Sequence, residues 1–259
     1  NKKLNITLNV VRALEEQGAL SIESEQVYRN PIQNRKQQEK DICYTVEQKN
    51  AIECFWGDYQ RQQYGTYLIH GVTGSGKTEV YMEMIARVAA KGRQAIVLIP
   101  EIALTFQTVM RFYRRFGDRV SIMNSRLSAG ERYDQMMRAK AGEIDVMIGP
   151  RSALFTPFPN LGLIVIDEEH ENTYKSEQIP RYHARETAIA RAKLEQASVI
   201  LGSATPSVEA MYRAKHGEYK LLELHNRSGN QEMAKVHVVD LREELREGNR
   251  SILSRKLQQ

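Results

Sequence analysis

Two short segments of this chain hold residue types that could act on phosphate. Gly71-Val72-Thr73-Gly74-Ser75-Gly76-Lys77-Thr78 matches G-x-x-x-x-G-K-[ST] in full. Glycines 71, 74 and 76, with Ser75 between the last two, let successive backbone N–H groups turn toward phosphate oxygens. A helix N-terminus behind them adds partial positive charge at the same spot. In such a loop Lys77 reaches the β- and γ-phosphates and the Thr78 hydroxyl ligates Mg²⁺. The second segment, Asp167-Glu168-Glu169-His170, follows directly on the apolar run Leu163-Ile164-Val165-Ile166. Adjacent acids can divide nucleotide hydrolysis, one holding Mg²⁺ and the other orienting the attacking water. Together the segments imply a site that binds and hydrolyses a nucleotide.

Such chemistry requires elements that bring the two segments to one edge of a sheet. Tyr67–His70 has strand character before the loop, and Glu79–Ala90 has helical composition after it. Further apolar runs at Ala95–Ile99, Val120–Met123, Asp145–Ile148, Leu163–Ile166 and Val199–Leu201 alternate with amphipathic helices. That alternation predicts an α/β fold: a parallel sheet with helices on both faces and ligands at the C-terminal strand ends. His237–Val239 reads as one further strand. On the helix after Thr105, residues Phe106, Val109, Met110, Tyr113 and Phe116 share one face. Arg111, Arg114, Arg115 and Arg119 then fall on a solvated one. Trp56, beside Phe55, reads as packing.

The first 33 residues differ from the rest. Ile6–Gln17 suits an amphipathic helix, Gly18 a C-cap, and Leu20–Ile22 with Gln26–Tyr28 two short strands. This reads as the back half of a winged-helix module over 1–33, with a plain helical hairpin or linker remnant as the alternative. A polar linker follows over 34–41, then a nucleotide-binding lobe over 42–225 and the start of a connection over 226–259. The chain begins at Asn1 and reads as a piece of something longer. Net charge is +5, from 37 Lys+Arg against 32 Asp+Glu, which is compatible with nucleic acid without establishing it. No apolar run approaches a membrane span and no signal-peptide pattern opens the chain, so a cytoplasmic, non-membrane protein is expected. Cys43 and Cys54 stand apart from any partner motif and read as ordinary packing.

Three more segments narrow the class. Gly202-Ser203-Ala204-Thr205-Pro206 follows a strand, as does Pro100-Glu101-Ile102-Ala103-Leu104-Thr105, and Tyr44-Thr45-Val46-Glu47-Gln48 lies upstream of the loop. Their order and spacing resemble the first motor lobe of superfamily 2 helicases, a RecA-like domain. Longer strings resemble the primosomal protein N′ (PriA) family of bacterial replication-restart DNA helicases. These are His70–Tyr81, Arg151–Phe158, Asp167–Glu171, Tyr174–Arg185 and Gly202–Ser207. The resemblance implies ATP and Mg²⁺ as ligands, with Asp167 holding the ion through water, Glu168 orienting the attacking water and Gln48 on the adenine edge. It implies that His170, Ser203, Ala204 and Thr205 couple hydrolysis to grip on DNA. It also implies that Tyr174, Lys175, Arg181, Tyr182, His183 and Arg185, with Arg151, meet single-stranded DNA. Aromatic faces and cations suit that role, although Tyr174 and Tyr182 could equally pack the loop onto the lobe. The family's activity is 3′-to-5′ unwinding of branched DNA at stalled forks and promotion of primosome assembly. Its partners are other primosome proteins and the single-stranded-DNA-binding protein.

Departures from the family pattern stand at Phe106, Asn124 and Pro150, all in segments expected to meet DNA. Nothing after Pro206 resembles the second motor lobe, and the family's zinc-binding cysteines are absent from this chain. A lone first lobe lacks the arginine finger that is worth about 10³–10⁵ in rate. The expectation is therefore weak ATP·Mg²⁺ binding, very slow hydrolysis and no unwinding by the 259 residues alone. Two other readings remain at this level: a P-loop ATPase without DNA work, and a branched-DNA docking module with a vestigial loop.

Overall fold

Strands that are apolar at every position must bury both faces, and side chains alternate between those faces along each strand. The computed structural model describes residues 10, 13–15, 17–19, 43–227 and 237–258. Within it, seven strands form one sheet: β1 (Thr66–Gly71), β2 (Gln94–Leu98), β3 (Val120–Ile122), β4 (Val146–Gly149), β5 (Leu161–Asp167), β6 (Ser198–Ser203) and β7 (Lys220–Leu224). All pairings are parallel, in the order β3-β4-β2-β5-β6-β1-β7. The expected α/β architecture is the one observed.

Strand parity divides the core into two layers. Ala95, Val97, Leu163 and Val165 face α1 (Val46–Gln60), α2 (Lys77–Ala89) and α3 (Phe106–Phe116), where Ile52, Phe55, Ile85 and Phe112 fill the layer. Ile96, Leu98, Ile164 and Ile166 face α4 (Ala129–Lys140), α5 (Ala184–Glu195) and α6 (Val208–Lys215), where Ala139, Ala188 and Ala210 allow close approach. Two short helices, α7 (Leu241–Arg246) and α8 (Arg255–Gln258), follow. Among the described residues no helix is long and apolar enough to cross a membrane.

Local signals set the helix starts. Thr45 and Gln48 form a capping box at α1, and Ser128 with Glu131 forms one at α4. Trp56 stacks on Tyr59 with ring centroids 5.6 Å apart, as a packing residue should. Gly18, at φ 69°, donates to the Glu15 carbonyl at 2.9 Å in the manner of a helix-ending glycine. The rest of the expected winged-helix segment and the linker lies outside the described residues.

Several expectations need correction. His237–Val239 joins no ladder, and the seventh strand is instead β7, which the sequence reading passed over. On α3 the buried residues are Val109, Phe112 and Tyr113, while Phe106 is 78% exposed. Phe106 begins the helix, and its turn stands past the end of β2, beside a cleft lined by Ile102, Leu104 and Arg126. Arg111, Arg114 and Arg119 are exposed, as a solvated face requires, and only Arg115 is half-buried. Arg111 pairs with Glu79 and Arg115 with Glu83, both acids of α2, while Arg119 lies beyond the helix and pairs with Asp145. Cys54 packs against the core, but Cys43 is exposed.

One buried acid ties the edge strand to the sheet. Asp58 of α1 accepts from Tyr67 of β1 at 2.9 Å, Lys220 of β7 at 2.7 Å and Arg61 at 2.8 Å. Burial raises its carboxyl, but the three donors outweigh that and hold it below the ordinary value. Asp58→Ala leaves the buried Tyr67 hydroxyl unpaired, so a loss of about 1–3 kcal/mol is expected. Urea unfolding measures this, and amide exchange should rise first in β7.

Candidate nucleotide site and DNA-facing edge

The parallel register fixes the site. Asp167 at the end of β5 lies opposite Gly202 of β6, and Ser203 lies opposite His70 at the end of β1. The strand ends before the loop, the acids and the serine-alanine-threonine segment therefore share one sheet edge. They meet at a cleft of about 510 Å³ lined by Gln48, Gly74, Gly76, Lys77, Thr78, Asp167 and Glu168. Arg111 and Cys43 line it as well, and sequence reasoning gave neither a place there.

Gly74 and Gly76 have φ of 82° and 79°, a region that side chains disfavour, and Lys77 opens α2 directly behind them. The buried Lys77 ammonium donates to the Gly71 carbonyl at 2.8 Å, so it rests across the mouth of its own loop. Gln48 is buried: its carbonyl accepts from the Thr45 N–H at 2.9 Å, and its amide donates to the Ser75 carbonyl at 2.8 Å. In this arrangement Gln48 braces the loop from α1 while also lining the cleft.

The consecutive acids sit in different surroundings. Asp167 Oδ1 is buried; the Tyr81 hydroxyl lies beside it, and neither atom has a well-formed hydrogen-bond partner among the described residues. Burial, and then neighbouring Glu168, push the Asp167 carboxyl up to about 6, against the pull of Lys77. Glu168 takes a left-handed backbone, φ 48°, and its carboxylate is 3.7 Å from His170 Nδ1. The same His170 nitrogen lies 2.7 Å from Ser203 Oγ, which accepts from the Thr205 N–H at 3.0 Å. The residues expected to couple hydrolysis to DNA thus form one connected group, with Ala204 between its two anchors. Glu169, to which the sequence reading gave no role, is buried and paired with Arg185.

The expected DNA-contact residues divide by exposure. Lys175 and Arg181 are exposed, and half-buried Tyr182 meets Phe155 edge-to-face at 5.3 Å. Arg151 is half-buried and donates to the Thr173 and Lys175 carbonyls at 3.1 and 2.7 Å. His183 caps α5, accepting from the Arg185 N–H at 3.2 Å. Two residues are corrections. Tyr174 is 1% exposed, so its ring has no face to offer a base. Arg185 is 7% exposed and committed to Glu169, so it is not a phosphate contact in this conformation. Phe155, 53% exposed, is the ring that Tyr182 meets, and its place in the Arg151–Phe158 string was the only sequence signal for it.

The chain belongs to the DEAD/DEAH box helicase family, whose pattern it matches over residues 36–213. A more particular likeness is to replication restart protein PriA. The protein of that name from Bacillus subtilis is 47% identical over 257 residues, covering 99% of this chain and 32% of the relative. That from Synechocystis is 42% identical over 265 residues, covering 99% and 31%. The chain therefore spans about a third of the length of the curated relatives it matches. In fold it is similar to RecG in a structure bound to a three-way DNA junction. That match has a TM-score of 0.57 and 22% identity and covers 74% of this chain and 25% of the other.

Two outcomes follow from the geometry. A Cβ on Gly202 would stand 1.4 Å from the Tyr81 hydroxyl and 2.5 Å from its ring. Gly202→Ala is expected to cost about 3 kcal/mol, the upper end for overpacking, and calorimetry of the purified protein checks it. The second concerns pH. Burial, then the positive charges of Arg185 and Lys175, hold His183 below its ordinary value against Glu186 and Glu169. The cap needs an unprotonated Nδ1. It is therefore fully present above the unfolded pKa of about 6.5 and is lost as pH falls through the lower folded value. Amide exchange in the first turn of α5 should speed up on acidification, and His183→Asn, which caps at any pH, should abolish that response.

Proposed function

We propose that this chain is the ATP-binding first motor lobe, over 42–225, of a longer ATP-dependent DNA helicase. In this reading the helicase unwinds branched DNA 3′-to-5′ during replication restart. The observation that carries it is the meeting of three groups at one strand edge. They are the Lys77 ammonium at the mouth of the loop, the orphaned Asp167 Oδ1 in the same cleft, and the His170–Ser203 link one residue beyond the acids. A buried carboxylate oxygen with no well-formed hydrogen bond among the described residues, in one cleft with a lysine and a threonine, fits a hydrated Mg²⁺ with triphosphate. Thr78 and Asp167 would hold the ion, and the backbone of Gly71, Gly74, Ser75 and Gly76 would hold the phosphates. When bound, Mg²⁺ supplies neutralisation of the phosphate charge. Lys77 adds a second positive charge, and Glu168 is placed to orient water. Gln48 positions the loop and faces the adenine side of the cleft.

The DNA-facing surface of this reading is Lys175, Arg181, Tyr182 and Phe155, an aromatic pair flanked by cations. Phe106, exposed beside Arg126, adds an aromatic where the related family has proline. The segment over 1–33 would be a piece of a winged-helix module and that over 226–259 the start of a connection to a second lobe. Other primosome proteins and the single-stranded-DNA-binding protein are partners by resemblance, and the cytoplasm is the compartment that implies.

Lys77→Ala in the full-length protein should lower ATP turnover by at least about 10²–10³-fold, the range for losing one charge-stabilising donor. It should abolish unwinding and leave binding to a forked duplex in place. Retained unwinding would sink the assignment of the loop. The 259-residue chain alone should release phosphate at least about 10³-fold more slowly than the full-length protein, since a partner lobe's arginine contributes on that scale.

A further inference from the structure

The edge strand β7 delivers its end to the phosphate loop. Leu224 lies opposite Gly71 in the parallel ladder, and its carbonyl accepts from the Val72 N–H at 3.3 Å, so the pairing runs one residue into the loop. The chain then crosses to the first turn of α1. There Glu47 accepts from the Asn226 N–H at 3.2 Å and from the Asn226 side-chain amide at 2.8 Å. The next residue of α1 is Gln48, which lines the cleft. This latch of two bonds carries residues 225–227 along the wall between the phosphate loop and the helix that bears Gln48.

Arg227 lies on the loop itself. A Cβ on Gly74 would stand 3.9 Å from both Cγ and Cδ of Arg227, an ordinary van der Waals contact. The Arg227 Nε is buried and makes no well-formed hydrogen bond among the described residues. An N–H shut away from water without an acceptor is unfavourable. Turning this guanidinium onto a ligand therefore gives up no bond and ends the isolation of its Nε–H. The cleft has a matching need. None of the described residues lining it is aromatic, so no ring is there to cover the face of a base. The loop backbone and Lys77 serve the phosphates, and Arg111 is already paired with Glu79. A guanidinium is planar and weakly hydrated, and bases stack on it as they do on aromatic rings.

We propose that Arg227 is a nucleotide-binding residue whose guanidinium covers the nucleoside when the cleft is occupied, with the Asn226–Glu47 latch setting its place. This rests on the reading of the cleft as an ATP site and adds to it the residue that meets the base. Gln48 and Arg227 then divide the recognition of the nucleoside, one at an edge of the ring and the other on its face. A contact with the nucleoside is made equally before and during phosphoryl transfer. Arg227 therefore tightens binding and leaves the chemical step unchanged.

The test uses the full-length protein, with ADP and inorganic tripolyphosphate as separate probes. Arg227→Met keeps an unbranched stem over Gly74 and removes only the guanidinium, so Tm should match wild type. Its ADP affinity should fall about tenfold, the scale of a desolvated contact between a cation and a ring. Tripolyphosphate has no nucleoside and should bind the variant as tightly as it binds wild type. In turnover, KM for ATP should rise while kcat holds. Asn226→Ala, which removes one bond of the latch, should weaken ADP binding less. It should have no further effect once Arg227 is already methionine, because it acts through that side chain. Unchanged ADP affinity in Arg227→Met would make the residue packing alone and overturn the proposal. Equal losses for ADP and tripolyphosphate would make it a phosphate contact and overturn it too. If wild type bound neither probe, the reading of the cleft as a nucleotide site would itself fail, and the role of Arg227 with it.

Discussion

Everything at the site depends on the parallel register of β5, β6 and β1. Asp167 against Gly202, and Ser203 against His70, are pairings of strands whose apolar residues are fixed by parity in two core layers. A slip of one residue would turn each strand's side chains to the opposite layer, and no partial shift is open to it. The packing of Leu163, Val165, Ile164 and Ile166 therefore decides where the acids emerge relative to the phosphate loop. Catalytic geometry is inherited from hydrophobic geometry here.

On that edge, three consecutive acids are put to three uses by their surroundings alone. Asp167 is buried beside Tyr81 with its charge disfavoured, and its Oδ1 makes no well-formed hydrogen bond among the described residues. Glu168 is held in a strained backbone with its carboxylate toward His170. Glu169 is buried as well, but Arg185 and Ser207 satisfy it completely enough for it to act as structure. The same side-chain chemistry becomes a candidate ligand, a candidate water-orienting group and an anchor.

The phosphate loop was legible in the sequence because phosphate size and backbone geometry fix its spacing, whatever surrounds it. The buried strands were legible as apolar runs, though their ends moved by a residue or two, since ladders and not composition decide where a strand stops. Strand β7 escaped notice because Lys220-Leu221-Leu222-Glu223-Leu224 lies at a sheet edge and carries no all-apolar run. His237–Val239 has strand composition but pairs with no strand among the described residues. The cations were the hardest to place. Composition marks Arg115 and Arg185 as positive, but only the three-dimensional neighbours Glu83 and Glu169 turn them inward. Tyr174 misled for the same reason: an aromatic in a basic loop has the composition of a base platform, and the hydroxyl contact with Asp167 that buries it spans a turn.

The Tyr81 hydroxyl occupies the space a side chain at Gly202 would need. Tyr81 closes the phosphate-loop string and Gly202 opens the serine-alanine-threonine string, so two signatures usually counted as separate are joined by one contact. Position 202 cannot enlarge while the tyrosine stands. A descendant of this sequence could lose the tyrosine first and then gain a larger residue at 202, but the reverse order passes through a collision. The contact therefore gives the two motifs a direction of permitted change as well as a shared wall.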